Sequence, residues 1–193
     1  MINLSEFFFS ELDEHQKILN LTREKLETEF INLVKCCKLS IENGGKIIFF
    51  GNGGSAADSQ HLSTELTVKF SKVRDPIAAI ALTTDTSTLT AIGNDFGFEK
   101  IFSRQIEAIG NQNDTAIAIS TSGNSNNVIE GAKSAKSIGM TVVGFTGMSG
   151  GDLSKFSDIN IMIPSNTVSR IQEMHITIGQ MLCNALEINL GLV

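Results

Sequence analysis

Apolar side chains recur at spacings of three and four through the first 43 residues. The stretch FFFSELDEHQKILNLTREKLETEFINLVKCCKLSIE therefore predicts helix over residues 4–43. A break is expected near Leu19 to Thr22, and Asn43, Gly44 and Gly45 stop the helix. Beyond Gly45 the pattern changes to short, fully apolar runs separated by amphipathic ones. The runs predict strands at Lys46 to Phe50, Ile77 to Leu82, Thr115 to Ile119, Thr141 to Phe145 and Ile159 to Ile163. Helices are expected at about Ser55 to Phe70, Ser87 to Ile92, Phe98 to Ile109, Ser125 to Ile138 and Ser169 to Leu190, with a helical turn at Leu153 to Phe156. Strands apolar on both faces and alternating with helices predict an α/β fold, a five-stranded parallel sheet flanked by helices, with an N-terminal helical extension over residues 1–43. No linker-like composition interrupts the chain, so residues 1–193 read as one domain. The extension must bury its apolar stripe on the sheet or against a second subunit, and the cluster Phe7, Phe8, Phe9 favours the second.

Charge and composition narrow the function classes. The formal net charge is -6, a poor basis for direct nucleic-acid binding, although backbone donors can still hold an anionic ligand. Cys36, Cys37 and Cys183 have neither metal-type spacing nor a disulfide framework, so they read as core residues. No apolar run approaches a membrane span and no basic leader opens the sequence, which makes the cytoplasm the simplest address.

In a parallel sheet ligands bind beyond the carboxyl ends of the strands. The loop after the first strand, GNGGSAAD, is G-x-G-G rather than G-x-G-x-x-G and lacks a P-loop ending, so no nucleotide cofactor is expected. Its glycines allow close approach of a ligand, and Ser55 is placed to cap the next helix. The loop after the third strand, STSGNS, brings hydroxyls and backbone N–H groups to a helix start, which suits a phosphate on a small substrate. Capping and turn-making are the plainer alternative. TGMSGGD, after the fourth strand, reads mainly as turn chemistry. His61 and Glu65 are four apart and share a helix face. They suit a metal pair, a base with its orienting partner, or a solvated pair. Asp85 and Asp95 suit either sugar hydroxyls or helix caps. Gln172 and Gln180, eight apart on the last helix, need polar partners there.

The stretches GNGGSAADSQH, IALTTDTSTLTAIGNDFGFE, FSRQIEAIG, ISTSGNS and RIQEMHI together resemble the sugar isomerase (SIS) domain family over nearly the whole chain, and most closely its phosphoheptose isomerases. The resemblance implies a flavodoxin-like sheet and a homotetramer whose active sites draw on neighbouring subunits. It implies a phosphorylated seven-carbon sugar as substrate, sedoheptulose 7-phosphate, and a place in surface polysaccharide precursor synthesis. By the same resemblance Asn52, Gly53, Gly54 and Ser55 form the first substrate loop, and Ser120, Thr121, Ser122 and Ser125 cradle the phosphate. Asn94, Asp95 and Gln172 make further substrate contacts, and Glu65 is the general base. His61, Glu65 and Gln172 match three ligands of a zinc site seen in some members, which implies one zinc ion per subunit, with Gln180 at the fourth position.

The chain departs from the family in three places. Gln180 stands where the isomerases carry a second histidine, their general acid, and glutamine does not titrate near neutral pH. The segment PSNTVSRIQ lacks two adjacent aspartates, and Val68, Lys69 and Phe70 replace a common Gly-Arg-Tyr, leaving Lys69 to stand in for the arginine. A related non-enzymatic branch associates with the bacterial replication initiator protein and also lacks the later histidine. That regulatory reading is the alternative. Against it, those members lack the Glu65 carboxylate and read GNGTS where this chain has GNGGS.

Overall fold

A computed structural model describes residues 2–193. The N-terminal segment forms two helices, α1 (Leu4–Lys25) and α2 (Glu27–Glu42), which meet at Leu26. The break thus lies four residues beyond the expected stretch. At Leu26 the ladder is only bent, since its N–H still reaches the Thr22 carbonyl and its carbonyl accepts from Phe30. The turn occurs where Ile18, Thr22 and Leu26 are all buried, so packing rather than a helix breaker sets its place.

The sheet follows with β1 (Ile47–Gly51), β2 (Ala79–Ala81), β3 (Thr115–Ile119), β4 (Thr141–Thr146) and β5 (Ile159–Met162). All neighbours pair in parallel, in the order β2-β1-β3-β4-β5. The edge strand β2 is half as long as its apolar run suggests, because Ile77 and Leu82 are buried by packing beyond the ladder. Between the strands lie α3 (Gly54–Thr67), α4 (Thr86–Phe96), α5 (Ser103–Ile109) and α6 (Asn126–Ile138), and α7 (Val168–Asn189) closes the chain. Short 3-10 turns occupy Phe98–Lys100 and Asp152–Phe156, so the expected helix from Phe98 to Ile109 is divided.

Alternation along β1 assigns the two layers. Ile47 and Phe49 join Leu33, Cys37, Leu62, Met174 and Leu182 in a core under α2, α3 and α7. Ile48 and Phe50 join Phe102, Ile106, Val128 and Ala132 in a second core under α5 and α6. Full burial of one such side chain contributes about 1.5–3 kcal/mol. The extension divides its burial: α2 lies on the sheet, while Leu4, Phe7, Phe8, Phe9 and Leu12 at the start of α1 stay exposed. Cys37 and Cys183 are buried and all three cysteines are free thiols. Among the described residues no helix is long and apolar enough to cross a membrane.

The strand order places the functional end. From β1 the chain leaves to α3 on one face, and from the adjacent β3 it leaves to α6 on the other. The two connections diverge and leave a crevice at the carboxyl ends of β1 and β3.

Candidate active site

The first loop enters the crevice as Gly51–Asn52–Gly53. Gly53 has φ 56° and is the N-cap of α3, a conformation that favours glycine. Ser55 therefore lies inside the first turn, buried, and is not the cap that the sequence suggests. Asn52 and Asn127 exchange two amide hydrogen bonds of 2.8 Å, which tie the loop after β1 to the first turn of α6. Asn127 carried no signal in the sequence beyond its place next to the STSGNS loop.

That loop turns at Gly123, φ 66°, where a Cβ would collide with the Gly150 carbonyl. The close approach knits it to the loop after β4. Thr121 accepts from the Gly147 N–H at 2.9 Å, and Asn124 accepts from the Asp152 N–H at 3.0 Å. A third loop joins them, with the Met148 N–H donating to the Ser165 carbonyl at 3.2 Å. Together they surround a cavity of about 300 Å³ lined by Thr121, Ser122, Asn124, Ser149, Ser165 and Asn166, among others. Ser149 belongs to TGMSGGD, which the sequence reads as turn chemistry although its place after a strand was a signal, and Ser165 and Asn166 belong to PSNTVSRIQ, which the sequence marks only for its missing aspartates. Ser125 is the N-cap of α6, but its hydroxyl does not cap the helix and instead lies 3.1 Å from that of Ser120. The N–H groups of Asn126 and Asn127 are thereby left for an anion, while that of Val128 donates to Asn127 Oδ1 at 3.0 Å.

The chemistry-bearing side chains come from α3 and α7. These helices approach closely because Gly179 faces Leu62; a Cβ there would sit 2.5 Å from the leucine side chain. One residue on, Gln180 reaches across to His61. Nε2 of His61 is 2.8 Å from Gln180 Nε2 and 3.0 Å from Glu65 Oε1. One ring nitrogen carries either a proton or a lone pair. Protonated, it donates to Glu65, and Gln180 must turn its carbonyl oxygen inward. Unprotonated, its one lone pair accepts from the Gln180 amide. Nearby, Asp58 is half-buried, and burial pushes its carboxyl above the usual range while His61 pulls the other way. Asp58 was not singled out in the sequence.

Gln172 lies two turns before Gln180 on α7. Its Nε2 packs on Gly54, where a Cβ would be only 2.7 Å away, so the start of α3 admits it only because residue 54 is glycine. Next on α7, His175 is buried against Phe145, and its Nε2–H donates to the Thr146 carbonyl at 3.2 Å. Burial pulls its imidazole down to about 4, with the carbonyl acting in the opposite sense. It anchors α7 to the end of β4.

Two candidates make no hydrogen bond to this group. Asn94 and Asp95 fall in the last turn of α4, which runs longer than its apolar pattern because Asp85 caps it and Gly97, φ 93°, ends it. Both are exposed, and the Asn94 amide donates to Asp95 at 2.7 Å. Asp85 takes the capping alternative: bonds from the Thr88 hydroxyl and N–H hold its carboxyl below the usual range. Lys69 is exposed, and the buried guanidinium near α3 belongs to Arg74.

The expected zinc ion requires correction. Among the described residues no group of three or more His, Cys, Asp or Glu side chains comes together as a metal site. Of the four proposed ligands only His61 and Glu65 are good zinc donors, and Gln172 and Gln180 are neutral carboxamides. The single imidazole nitrogen facing the group is already within hydrogen-bond distance of both Glu65 and Gln180.

Comparison with known proteins agrees with the geometry. The SIS domain matches residues 12–147. The phosphoheptose isomerase of Paramagnetospirillum magneticum is 48% identical over 96% of this chain and 97% of its own length. Phosphoheptose isomerase 1 of Campylobacter jejuni is 49% identical over 97% of this chain and 98% of its own. The solved structure of a phosphoheptose isomerase from Francisella tularensis superposes with a TM-score of 0.93 at 34% identity, covering 96% of this chain and 98% of that one. This chain belongs to the SIS domain family, within its phosphoheptose isomerase branch.

Proposed function

We propose that the protein interconverts sedoheptulose 7-phosphate and D-glycero-D-manno-heptose 7-phosphate by proton transfer through an enediolate. The observation that carries this reading is the convergence of Glu65, His61 and Gln180 on one imidazole nitrogen. Aldose–ketose isomerisation needs one base that serves two adjacent carbons and donors for the oxygen that becomes negative. Glu65 takes the proton from one carbon and returns it to the next. His61 fixes the carboxylate through Nε2, and Gln180 offers a neutral amide in place of a titrating acid. Gln172, seated on Gly54, is a second donor toward the sugar oxygens. The phosphate lies in the loop Ser120, Thr121, Ser122, Ser125 at the α6 N-terminus, and Asn52, Gly53, Gly54 and Ser55 border the reacting end. Binding energy from the phosphate holds the reacting carbons in place. Incubation with sedoheptulose 7-phosphate, followed by NMR, should show the aldose growing in. No conversion, with tight capture of a replication initiator protein instead, would replace this reading by the regulatory one.

The phosphate cradle makes a separate prediction. Removing the hydroxyls with S122A and S125A should weaken sugar-phosphate binding by about tenfold each, the scale of a lost hydrogen bond to a charged group. Unphosphorylated sedoheptulose should bind poorly even to the unaltered protein. Calorimetry showing equal affinity for both sugars would remove the phosphate from this loop.

The assembly is part of the same proposal. The exposed Phe7, Phe8 and Phe9 at the start of α1 support a homotetramer with active sites at subunit interfaces. So does an apolar cleft of about 630 Å³ between α1, α2 and α7, lined by Leu19, Leu26, Phe30, Ile178 and Met181 among others. Asn94 and Asp95, exposed and bonded only to each other through their side chains, would then complete a neighbour's site. Light scattering at micromolar concentration should give a mass near four chains of 20.8 kDa. A monomer would leave Asn94 and Asp95 without a substrate role. A phosphorylated metabolite as substrate supports a cytoplasmic address.

A further inference from the structure

We propose that Arg74, paired with Glu187, is a positioning residue that holds Glu65 in register with α7. The inference rests on the reading of Glu65 as the base. Arg74 lies outside every motif of the sequence, in the connection between α3 and β2, yet its side chain is 1% exposed and that of Glu187 0%. Such burial of two charges is costly unless every donor and acceptor is engaged. Here they are. Nε of Arg74 donates to Glu187 Oε1 at 2.8 Å, Nη2 to the Glu65 carbonyl at 2.9 Å, and Nη1 to the Leu66 carbonyl at 2.7 Å and to the Asp75 carbonyl at 3.0 Å. Glu187 also accepts the Phe70 N–H at 2.8 Å and the Ser71 hydroxyl at 3.2 Å. Burial alone would push the Glu187 carboxyl up, but the Phe70 N–H and the Arg74 guanidinium outweigh it and hold the group below the ordinary range.

The placement has a direct bearing on the site. Carbonyls in the last turn of a helix lack intrahelical partners, and the two that Arg74 takes are those of Glu65 itself and its neighbour. Glu187 sits on α7 seven residues beyond Gln180, two turns along the same face. One ion pair therefore fixes the last turn of α3 to the helix that carries Gln172 and Gln180. His61, a turn earlier, is held independently by the packing of Leu62 on Gly179. Loosening the clamp would shift Glu65 and leave His61 in place, lengthening the 3.0 Å contact between them.

The test uses Arg74→Lys in the full chain. Lysine keeps the charge but not the fork, so it can meet Glu187 or the carbonyls, not both sets. With sedoheptulose 7-phosphate, kcat should fall about 10–100-fold, the scale of a displacement near 1 Å, while KM stays within about threefold. The 15N signal of the His61 ring should move as Glu65 withdraws. A folded variant with kcat and His61 signal both unchanged overturns the proposal. So does a loss confined to KM, a fall in kcat with an unmoved signal, or a moved signal at unchanged kcat. If the lysine variant does not fold, Arg74→Met with Glu187→Met removes both charges together and is read against the same outcomes. Glu65→Gln is run alongside. If that control retains full turnover, the base reading fails on its own, and the His61 signal alone then decides whether Arg74 places Glu65.

Discussion

Replacing Glu65 with glutamine is expected to lower turnover by about 10²–10⁴-fold, the range over which a positioned base acts. The substitution is nearly isosteric, and a carboxamide still reaches His61 Nε2, 3.0 Å from the present carboxylate. Substrate affinity and melting temperature should therefore hold. The decisive measurement is exchange of the substrate C–H protons with solvent. Glu65→Gln should abolish it, because an amide cannot accept the proton from carbon. Exchange at the unaltered rate would take Glu65 out of the mechanism and return attention to Asp58, whose half-buried carboxyl is already pushed toward the protonated form.

Gln180→His is expected to act in the opposite direction and raise turnover by about 10–10³-fold. The present amide can donate a hydrogen bond to an oxygen but cannot give up its proton near neutral pH. An imidazole can do both, with a titration near pH 6.5. Gln180 is only partly buried, so a ring there retains contact with solvent, and Gly179 beside it leaves the Leu62 packing untouched. The ring would meet His61 where Gln180 does now, at 2.8 Å. A pH–rate profile distinguishes the outcomes. A working acid adds a limb near neutrality, whereas a stable variant that binds substrate with no rate gain and no new limb shows that Gln180 does not stand in the acid's place.

How far these features were legible depends on which forces set them. Strands such as Ile117 between Ala116 and Ala118 are apolar on both sides because both faces are covered, so periodicity alone locates them. The glycine loop and the hydroxyl loop were legible because special backbone conformation and anion binding both demand particular residue types. The bend at Leu26 was not, since it arises from tertiary packing in a continuous helical pattern. The length of α4 escaped the apolar pattern because Asp85 and Gly97, not hydrophobic spacing, define its ends. Asn127 and Arg74 were invisible for another reason. Their partners, Asn52 and Glu187, are 75 and 113 residues away. The zinc expectation was carried by resemblance and failed on donor chemistry, because Gln180 puts a neutral carboxamide where the family's fourth ligand is an imidazole, and no three His, Cys, Asp or Glu side chains gather among the described residues.

The span between His61 and Gln180, 119 residues, also bears on when the site exists during synthesis. A growing chain that has emerged as far as β5 already contains Glu65, the glycine loop and the hydroxyl loop. It holds neither glutamine, nor the Glu187 carboxylate that partners Arg74, because all three belong to α7. Domains fold progressively as the chain leaves the ribosome. Until α7 docks, Leu62, Leu66 and Phe145 lose the cover that Met174, Ile178 and Leu182 provide. The nascent protein at that stage has an open apolar face and an unfinished reaction centre, and docking of the final helix resolves both in one event. Competence and burial of the hydrophobic surface are therefore reached together, so a chain stalled short of α7 is both inactive and exposed to chaperones and proteases.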